Sequence, residues 1–447
     1  HYPLRRQRQM CIRDRYKDRD DRGYVMDQVY EDLKYAIENT YEKDNGSTQY
    51  VNKYLIAALA SRFMLFEGTW QKYHNLSAER AKKYLEFCME ASQVVMNSGK
   101  YSCTRDFHSI FGSDDLAGHP EVIFYRHYVT AKATHSIASY SNGEETQNGV
   151  SLQMLKSFIC NDGKPYQNSS VENADDFDMA MLAKTRDPRF ESTFYNFPLS
   201  SSYTMAYANK FTSREGTSYW NNIAARPGKY GGLLNENDAP VIRYAEVLLD
   251  WIEAKAELAE SYNGSAITQT DIDNTINVIR NRPLDQEAID KGVQKTAHLQ
   301  LASLPNDPAR DSDVSPLLWE IRRERRMEFV YEHTRLLDIK RWKKIEYMDN
   351  NKYPDTMYGP WVNFPKDVPT YEKEEYVGIL TVRKPDGSEV TYDGSNWNDM
   401  VGYFKVLEVK PRDAFDYEKA YMSPVGVQEI QDYADRNKVL SQTKAWR

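Results

Sequence analysis

The chain has 447 residues, of which 40% are hydrophobic and 28% are charged, so it can bury a substantial core and is not expected to be disordered. Its formal net charge of −8 argues against a duplex-binding surface, which needs a field of Lys and Arg, and nucleic acid is therefore not expected as a partner. No run of about 18 apolar residues occurs, so no membrane-spanning helix is predicted.

Aromatic residues are unusually frequent. Thirty-three tyrosines and eight tryptophans help to bring the aromatic content to 13%. Tyr and Trp combine a flat apolar face with a polar tip, so the surplus suits a surface that stacks on a ligand. A Tyr-rich core and surface is an equally good explanation at this stage.

The N-terminal end carries five arginines in residues 1–15 and has no helical or strand period. We therefore exclude residues 1–20 from the fold as a leader that is not native to the protein. The alternative is a basic N-terminal arm.

Residues 21–115 are predicted to contain three amphipathic helices. The first has apolar residues at three-to-four spacing across residues 26–37, and the second has them across residues 54–66 and ends near Gly68. The third begins after Ser77, which suits an N-cap, and it ends at Gly99. Alanines on the facing sides would allow two of these helices to form a hairpin, the unit of tetratricopeptide-like repeats.

The second part of the chain, residues 116–447, alternates between loops and helices. Residues 116–235 are rich in Gly, Ser, Asn and aromatic residues without a sustained period, and long regions of this kind usually carry function. Scaffold helices return at residues 240–345. Residues 346–420 are again loop-rich, with a possible hairpin at residues 381–392.

The last scaffold helix is predicted to start at Ser315, an N-cap, with Pro316 at the first helical position. It is expected to run to Arg335 and to lead into residues 336–342. Glu324, Glu328 and Glu332 follow one another at a spacing of four, which sets like charges side by side. We therefore expect each Glu to pair with an Arg in a partly buried structural frame.

Catalytic and metal-binding signatures are not found. The sequence lacks the motifs HExxH, GxSxG, GxGxxG and the phosphate-binding loop. Asp271 and Asp273 have the first spacing of a calcium loop, but Ile276 stands where Gly is needed, so they are predicted as acids in the first turn of a helix. The acids at residues 175–178 are predicted to lie in a solvated loop. We predict no enzymatic activity, no metal and no cofactor, while calcium in the loops and disulfides among Cys88, Cys103 and Cys160 stay open.

Four segments in chain order resemble the SusD/RagB family. PVIRYAEVLLD begins at Pro240, INVIRNR spans residues 276–282, the charged stretch spans residues 321–342, and YMSPVGVQE begins at Tyr421. His333 stands where the family usually has Gly, and Gly426 replaces the second Pro of the last motif. The resemblance assigns to the structural frame Arg243, Glu246, Glu324, Arg325, Arg326, Glu328, Arg335, Asp338, Arg341 and Trp342.

The resemblance implies an all-α-dominated fold, in which tetratricopeptide-like helix pairs support a variable loop-rich layer with minor β hairpins. It implies a non-catalytic protein, lipid-anchored on the cell surface at the outer membrane, that captures oligosaccharide or polysaccharide for a SusC-like TonB-dependent transporter. The family's signal peptide, lipobox cysteine and first helices precede the part matched by residues 24–30, which implies an N-terminal truncation that includes the anchor. A peptide ligand, a secreted glycan hydrolase and a protein-binding scaffold are the alternatives.

Ligand contacts are expected from the variable loops, because a flat aromatic ring can cover the apolar face of a sugar while polar side chains bond its hydroxyls. Trp220 is the first choice, and a buried loop anchor is its alternative. Trp361 and Trp397 are weaker candidates, for which packing is favoured. The remaining candidates are Tyr219, Asn221, Tyr230, Tyr195, Tyr203 and Arg226.

Overall fold

The computed structural model describes residues 16–43, 49–142, 149–200, 202–407, 409–412 and 416–447. Helices dominate these residues and the sheets are small, which confirms the predicted fold class. None of the helices in this part of the chain has the length and apolar character needed to cross a membrane.

The elements are numbered in chain order. The α-helices are α1 Arg22–Asn39, α2 Lys53–Tyr73, α3 Ala78–Met96, α4 Ile137–Asn142, α5 Leu152–Leu155, α6 Met179–Thr185, α7 Arg189–Thr193, α8 Arg214–Thr217, α9 Tyr244–Ser261, α10 Gln269–Asp273, α11 Ile276–Arg280, α12 Gln286–Asp290, α13 Pro316–Glu328, α14 Arg335–Arg341, α15 Phe364–Asp367, α16 Tyr417–Tyr421 and α17 Val427–Ala434. The strands are β1 Val122–Arg126, β2 Ala239–Arg243, β3 Tyr358–Asn363, β4 Thr381–Arg383, β5 Glu389–Thr391 and β6 Val401–Lys405.

Helices α2 and α3 form the predicted pair, and α9 packs against both of them around one apolar core. The Ser77 side chain accepts a hydrogen bond from the Arg80 N–H, as expected of an N-cap. Helix α2 does not end near Gly68, as the sequence suggested, but continues to Tyr73. Gly68 is instead a contact residue, since a Cβ there would lie 2.8 Å from Cγ of Leu85 on α3.

The charged stretch forms two helices rather than one. Ser315 caps α13 and Pro316 lies in its first turn, as predicted, but α13 ends at Glu328 and α14 begins at Arg335. In the segment between them, Tyr331 has φ +64° and His333 has φ +59°, which is left-handed backbone. This conformation suits Gly and ends an α-helix, so the prediction of a continuous helix to Arg335 was wrong.

Two sheets connect the loop regions to the helices. Strands β1 and β2 pair antiparallel, and β2 leads directly into α9. The other sheet has the order β3-β6-β4-β5, and its β4–β5 hairpin confirms the one predicted at residues 381–392, with Gly387 at φ +89° in the turn. A separate apolar core lies on this sheet.

The predicted leader overlaps the described residues only from residue 16 onward, and residues 1–15 lie outside them. The Ser441 Oγ donates to a carboxylate oxygen of Asp18 at 2.6 Å, and Arg19 Nη1 donates to Thr443 Oγ1 at 3.3 Å. Residues 16–20 thus contact the C-terminal segment.

Candidate ligand-binding site

A network of buried ion pairs connects α7, β2, the segment after α11, and α13. Nη1 of Arg189 donates to the Glu328 carboxylate at 2.8 Å, Nη2 of Arg282 does so at 2.7 Å, and Arg243 forms a third pair with the same carboxylate. Glu324 accepts from Arg189 at 2.5 Å. Burial alone would raise the pKa of the Glu328 carboxyl, but the three guanidinium groups hold it well below its usual range.

A second group of ion pairs joins α9 to the charged stretch. Arg325 Nη1 donates to Asp250 at 2.6 Å, and Arg341 binds both carboxylate oxygens of Glu253 at 2.6 and 2.7 Å. The Trp342 indole N–H donates to Glu253 at 2.8 Å. These pairs join α9 to α13 and α14. The α13 glutamates Glu324 and Glu328 also pair with arginines, as expected from the sequence.

The remaining carboxylates of the predicted frame are also paired. Asp338 accepts from Arg341 Nε at 2.9 Å, and Glu246 accepts from Arg62 Nε at 2.6 Å. Glu332, beyond the end of α13, pairs with Lys210 at 2.7 Å.

Arg326 and Arg335 do not belong to this network, although the sequence analysis assigned both to the frame. Arg326 Nη2 donates to the backbone oxygen of Gln153 at 3.3 Å, and its buried Nε has no hydrogen-bond partner among the described residues. The Arg335 guanidinium contacts rings, with its carbon 5.6 Å from the ring centroid of Trp342 and 5.5 Å from that of Tyr347. Both arginines line a cavity instead.

This cavity, which we call the arginine cavity, has a volume of about 380 Å³, within the range of small-molecule pockets. Helix α13 contributes one wall, and the others come from α5 and the segment after it and from the turns at Ile345–Met348 and Pro354–Met357. Its aromatic lining consists of Tyr166, Trp319, Trp342, Tyr347 and Tyr353.

The carboxylates of the arginine cavity are held by other groups. Asp307 accepts from the Trp319 indole at 2.7 Å and pairs with Arg323. Asp311 pairs with Lys344 at 2.8 Å, and Asp355 pairs with Lys156 at 2.7 Å. None of the three lies within ion-pair distance of Arg326 or Arg335 in the described part of the chain.

The loop residues predicted to bind a ligand are divided between surface and core. Asn221 donates to the Tyr195 hydroxyl at 2.8 Å, so these two predicted residues do come together. The ring of Phe197, which the sequence analysis did not select, lies 6.0 Å from that of Tyr195 and is 50% exposed. Tyr203 is 56% exposed. These side chains offer aromatic area to solvent.

Trp220 is buried, in the position of a loop anchor, which was the alternative to ligand contact. Its side chain is 2% exposed, its indole N–H donates to Asn209 Oδ1 at 3.0 Å, and the Tyr207 ring packs against it at 5.8 Å. Tyr230 is also buried, and its hydroxyl donates to Glu215 at 2.7 Å. Neither ring presents a free face to a ligand in this structure.

The other candidates are scattered. Tyr219 is partly exposed beside Tyr230, at a ring distance of 6.3 Å, and the partly exposed Arg226 lies against Gly231. Trp361 on β3 packs edge-on against Tyr403, while Trp397 is buried in the core on the second sheet. Neither tryptophan lines the arginine cavity.

Most residues of the arginine cavity were not identified from the sequence. Trp319 and Arg326 are seven residues apart on α13, a spacing that puts them on one face of a helix, and this was a usable signal. Tyr166, Tyr347 and Tyr353 come from loops whose folding gives no periodic pattern, so no signal identified them.

Possible metal ligands and cysteines both occur in the described residues. No group of three or more His, Cys, Asp or Glu side chains there could hold a metal ion, and Cys88, Cys103 and Cys160 are buried free thiols. Asp271 forms a capping box with Thr268, as expected of an acid in the first turn of a helix.

The model of the SusD family matches residues 120–446. The chain belongs to the SusD family. The matched region includes α13, α14 and every residue that lines the arginine cavity. No curated protein matches the chain.

Solved structures of SusD-like proteins share this fold. A SusD-like carbohydrate-binding protein from Bacteroides fragilis NCTC 9343 is 19% identical, with a TM-score of 0.59, and the match covers 93% of this chain and 71% of that one. Another SusD-like protein from the same strain is 19% identical, with a TM-score of 0.53 and coverage of 96% and 72%. At these identities the likeness is one of fold.

Proposed function

We propose that this SusD-family chain captures an oligosaccharide without changing it chemically, and that the arginine cavity holds part of that ligand. The observation that carries the proposal is the cavity of about 380 Å³, whose lining combines aromatic rings with polar side chains. Aromatic faces match the apolar C–H faces of sugar rings, and polar groups at the edge bond hydroxyls.

The exposed aromatic side chains of the loop layer extend the proposal. Tyr195, with Asn221 bonded to its hydroxyl, and the neighbouring Phe197 offer a ring face next to an amide. We propose that these residues, with Tyr203, contact outlying sugar units of the same chain or of a second chain. The exposed rings of Phe197 and Tyr203 are free to stack.

Transport and location form the wider part of the proposal. The family resemblance supports delivery of the ligand to a SusC-like TonB-dependent transporter, by a protein held at the outer face of the outer membrane through a lipid anchor. Co-purification of the chain with a SusC-like transporter tests that part separately from ligand binding.

Isothermal titration calorimetry against neutral and acidic oligosaccharides tests the proposal. We expect saturable binding to at least one oligosaccharide, and no release of reducing ends in a sensitive assay at any pH. Binding to peptides alone would favour the peptide-binding alternative, and product release would favour a hydrolase.

A matched pair of variants tests whether the sugar binds in the arginine cavity. Tyr353→Ala removes a partly buried ring of the arginine cavity, whereas Tyr35→Ala removes a ring that is 68% exposed on α1. We expect Tyr353→Ala to weaken sugar binding about fivefold to tenfold, the effect of losing one aromatic contact, and Tyr35→Ala to leave it unchanged. Equal affinities for both variants would contradict the assignment of the cavity.

A further inference from the structure

Arg326 and Arg335 stand out because other arginines of the same two helices are paired with carboxylates. Arg325 pairs with Asp250 at 2.6 Å, and Arg341 pairs with Glu253 at 2.6 Å. In the described part of the chain, no carboxylate lies within ion-pair distance of Arg326 or Arg335. A poorly solvated guanidinium that forms no ion pair is costly, so a feature of this kind calls for a ligand that supplies the anionic partner.

The charges of the arginine cavity strengthen this reasoning. Six cationic and three anionic side chains line it, although the whole chain has a net charge of −8. The three carboxylates, as described above, are already held by Trp319, Arg323, Lys344 and Lys156. The unmatched positive charge is therefore local to this cavity.

A second cavity provides an internal comparison. It has a volume of about 260 Å³ and is also lined by arginines, Arg62 and Arg243. Arg62 pairs with Glu246 at 2.6 Å, and Arg243 pairs with Glu332 at 2.8 Å. Arginines that line a cavity in this fold are thus not left unpaired as a rule.

Arg326 and Arg335 also act on each other. Burial lowers the pKa of the Arg326 guanidinium well below its usual value, and the positive charge of Arg335 lowers it further. An anion between the two groups would remove this repulsion, because it would attract both. Guanidinium groups suit carboxylate and sulfate oxygens, to which they donate paired hydrogen bonds.

We propose that the arginine cavity recognises an acidic sugar, and that Arg326 and Arg335 bind its carboxylate or sulfate group while the aromatic lining packs against the ring. This inference rests on the proposed function and narrows its ligand class. Trp319 lies two helical turns before Arg326 on the same face of α13, and both side chains line the cavity. An aromatic ring therefore lies beside the proposed anion site.

Calorimetry with matched ligands tests the ligand class. The probes are a galacturonate oligomer, the methyl ester of the same oligomer, a sulfated oligosaccharide and a neutral oligosaccharide. We expect the galacturonate or the sulfated probe to bind at least about tenfold more tightly than the ester or the neutral probe, and the better of the two identifies the anionic group. Equal affinity for acid and ester, with sugars bound, would overturn this inference and leave the proposed function standing. Failure of every oligosaccharide to bind would overturn the proposed function itself.

Variants test the two arginines. Arg326→Gln and Arg335→Gln should each weaken binding of the acidic probe about tenfold to a hundredfold, the effect of losing a charge-assisted hydrogen bond, while the ester is affected less. Lys132→Gln removes the same charge from an exposed position outside the cavity and should change neither affinity. Unchanged affinity for the acid in both arginine variants would overturn the assignment.

Thermal unfolding without ligand distinguishes anion binding by the two arginines from a role in stabilising the fold. Removing an unpaired cation relieves its cost, so we expect Arg326→Gln to melt at the same temperature as the parent chain or higher. A structural arginine would lower the melting temperature when replaced. A lower melting temperature for both variants, with affinity for the acid retained, would assign them to the frame and overturn the proposal.

Discussion

Arg282 Nη2 donates to the Glu328 carboxylate at 2.7 Å, although 46 residues separate the two in the chain. The contact joins the segment after α11 to the last residue of α13, and Arg189 and Arg243 reach the same carboxylate from α7 and β2. One buried carboxylate thus fixes four separate segments relative to one another. Stability of the scaffold should depend on it strongly.

Glu328→Gln should lower the free energy of unfolding by about 3–5 kcal/mol, because it leaves three buried guanidinium groups without their shared counter-charge. Urea denaturation at neutral pH measures the loss. Glu86→Gln is the matched control, since the Lys82–Glu86 pair is exposed and should contribute less than about 1 kcal/mol. Similar losses for the two variants would show that the buried network does not hold the scaffold together.

Gly68→Ala should destabilise the chain by about 1–3 kcal/mol, despite the better helix propensity of Ala, because the new Cβ meets Leu85. Leu85→Ala makes room at the same contact. The double variant Gly68→Ala/Leu85→Ala should therefore be more stable than the sum of the two single losses predicts, and equilibrium denaturation of all four chains measures this coupling. Strict additivity would contradict the close contact between α2 and α3.

His333→Gly should stabilise the protein by about 0.5–1 kcal/mol, because His333 has left-handed backbone at φ +59°. Thermal unfolding measures the gain. Tyr331→Gly, at φ +64°, is the informative comparison, since Tyr331 packs against the apolar core and its loss should outweigh the relief of strain. A destabilised His333→Gly chain would mean that the imidazole makes contacts worth more than the strain.

Acid should destabilise the protein partly through His108. Burial lowers the pKa of His108 in the folded state, and Arg214 lowers it further. Below the unfolded pKa of about 6.5 the unfolded chain takes up a proton that the folded chain does not, so stability falls as the pH falls. His108→Gln should therefore give a shallower loss of unfolding free energy between about pH 7 and pH 5. Urea denaturation of both chains at a series of pH values measures the slope.

The scaffold was largely predictable from sequence because its determinants are local or periodic. Apolar residues at helical spacing located α1 to α3, and Ser77 and Ser315 marked two helix starts, where the structure shows their capping bonds. The spacing of Glu324 and Glu328 indicated that each of these glutamates pairs with an arginine, and the structure supplies Arg189 and Arg282. The spacing of the glutamates did not identify which arginine pairs with each of them.

The arginine cavity was not predictable, because the residues that line it are, as a set, neither close together in the sequence nor periodic. Its members Tyr166, Trp319 and Tyr353 come from segments whose approach depends on the tertiary fold. Charge counting along the chain also misled, because Arg326 and Arg335 look like the paired arginines beside them. Arginines with a carboxylate partner and arginines without one are distinguished only by where the neighbouring carboxylates lie in the folded structure.

For Trp220, a buried structural role and a ligand-binding role predict opposite effects of substitution on stability and on sugar affinity. Its indole N–H bonds Asn209 and its ring packs on Tyr207, so Trp220→Phe should cost about 1–3 kcal/mol of stability through a lost hydrogen bond and a small void. Sugar affinity of the folded variant should stay within about twofold of the parent. The exposed Tyr203→Ala should do the reverse, with unchanged unfolding free energy and weaker binding of long oligosaccharides. Chemical denaturation and calorimetry on both variants decide between the roles, and a Trp220→Phe chain of full stability with lost affinity would restore Trp220 as a stacking residue.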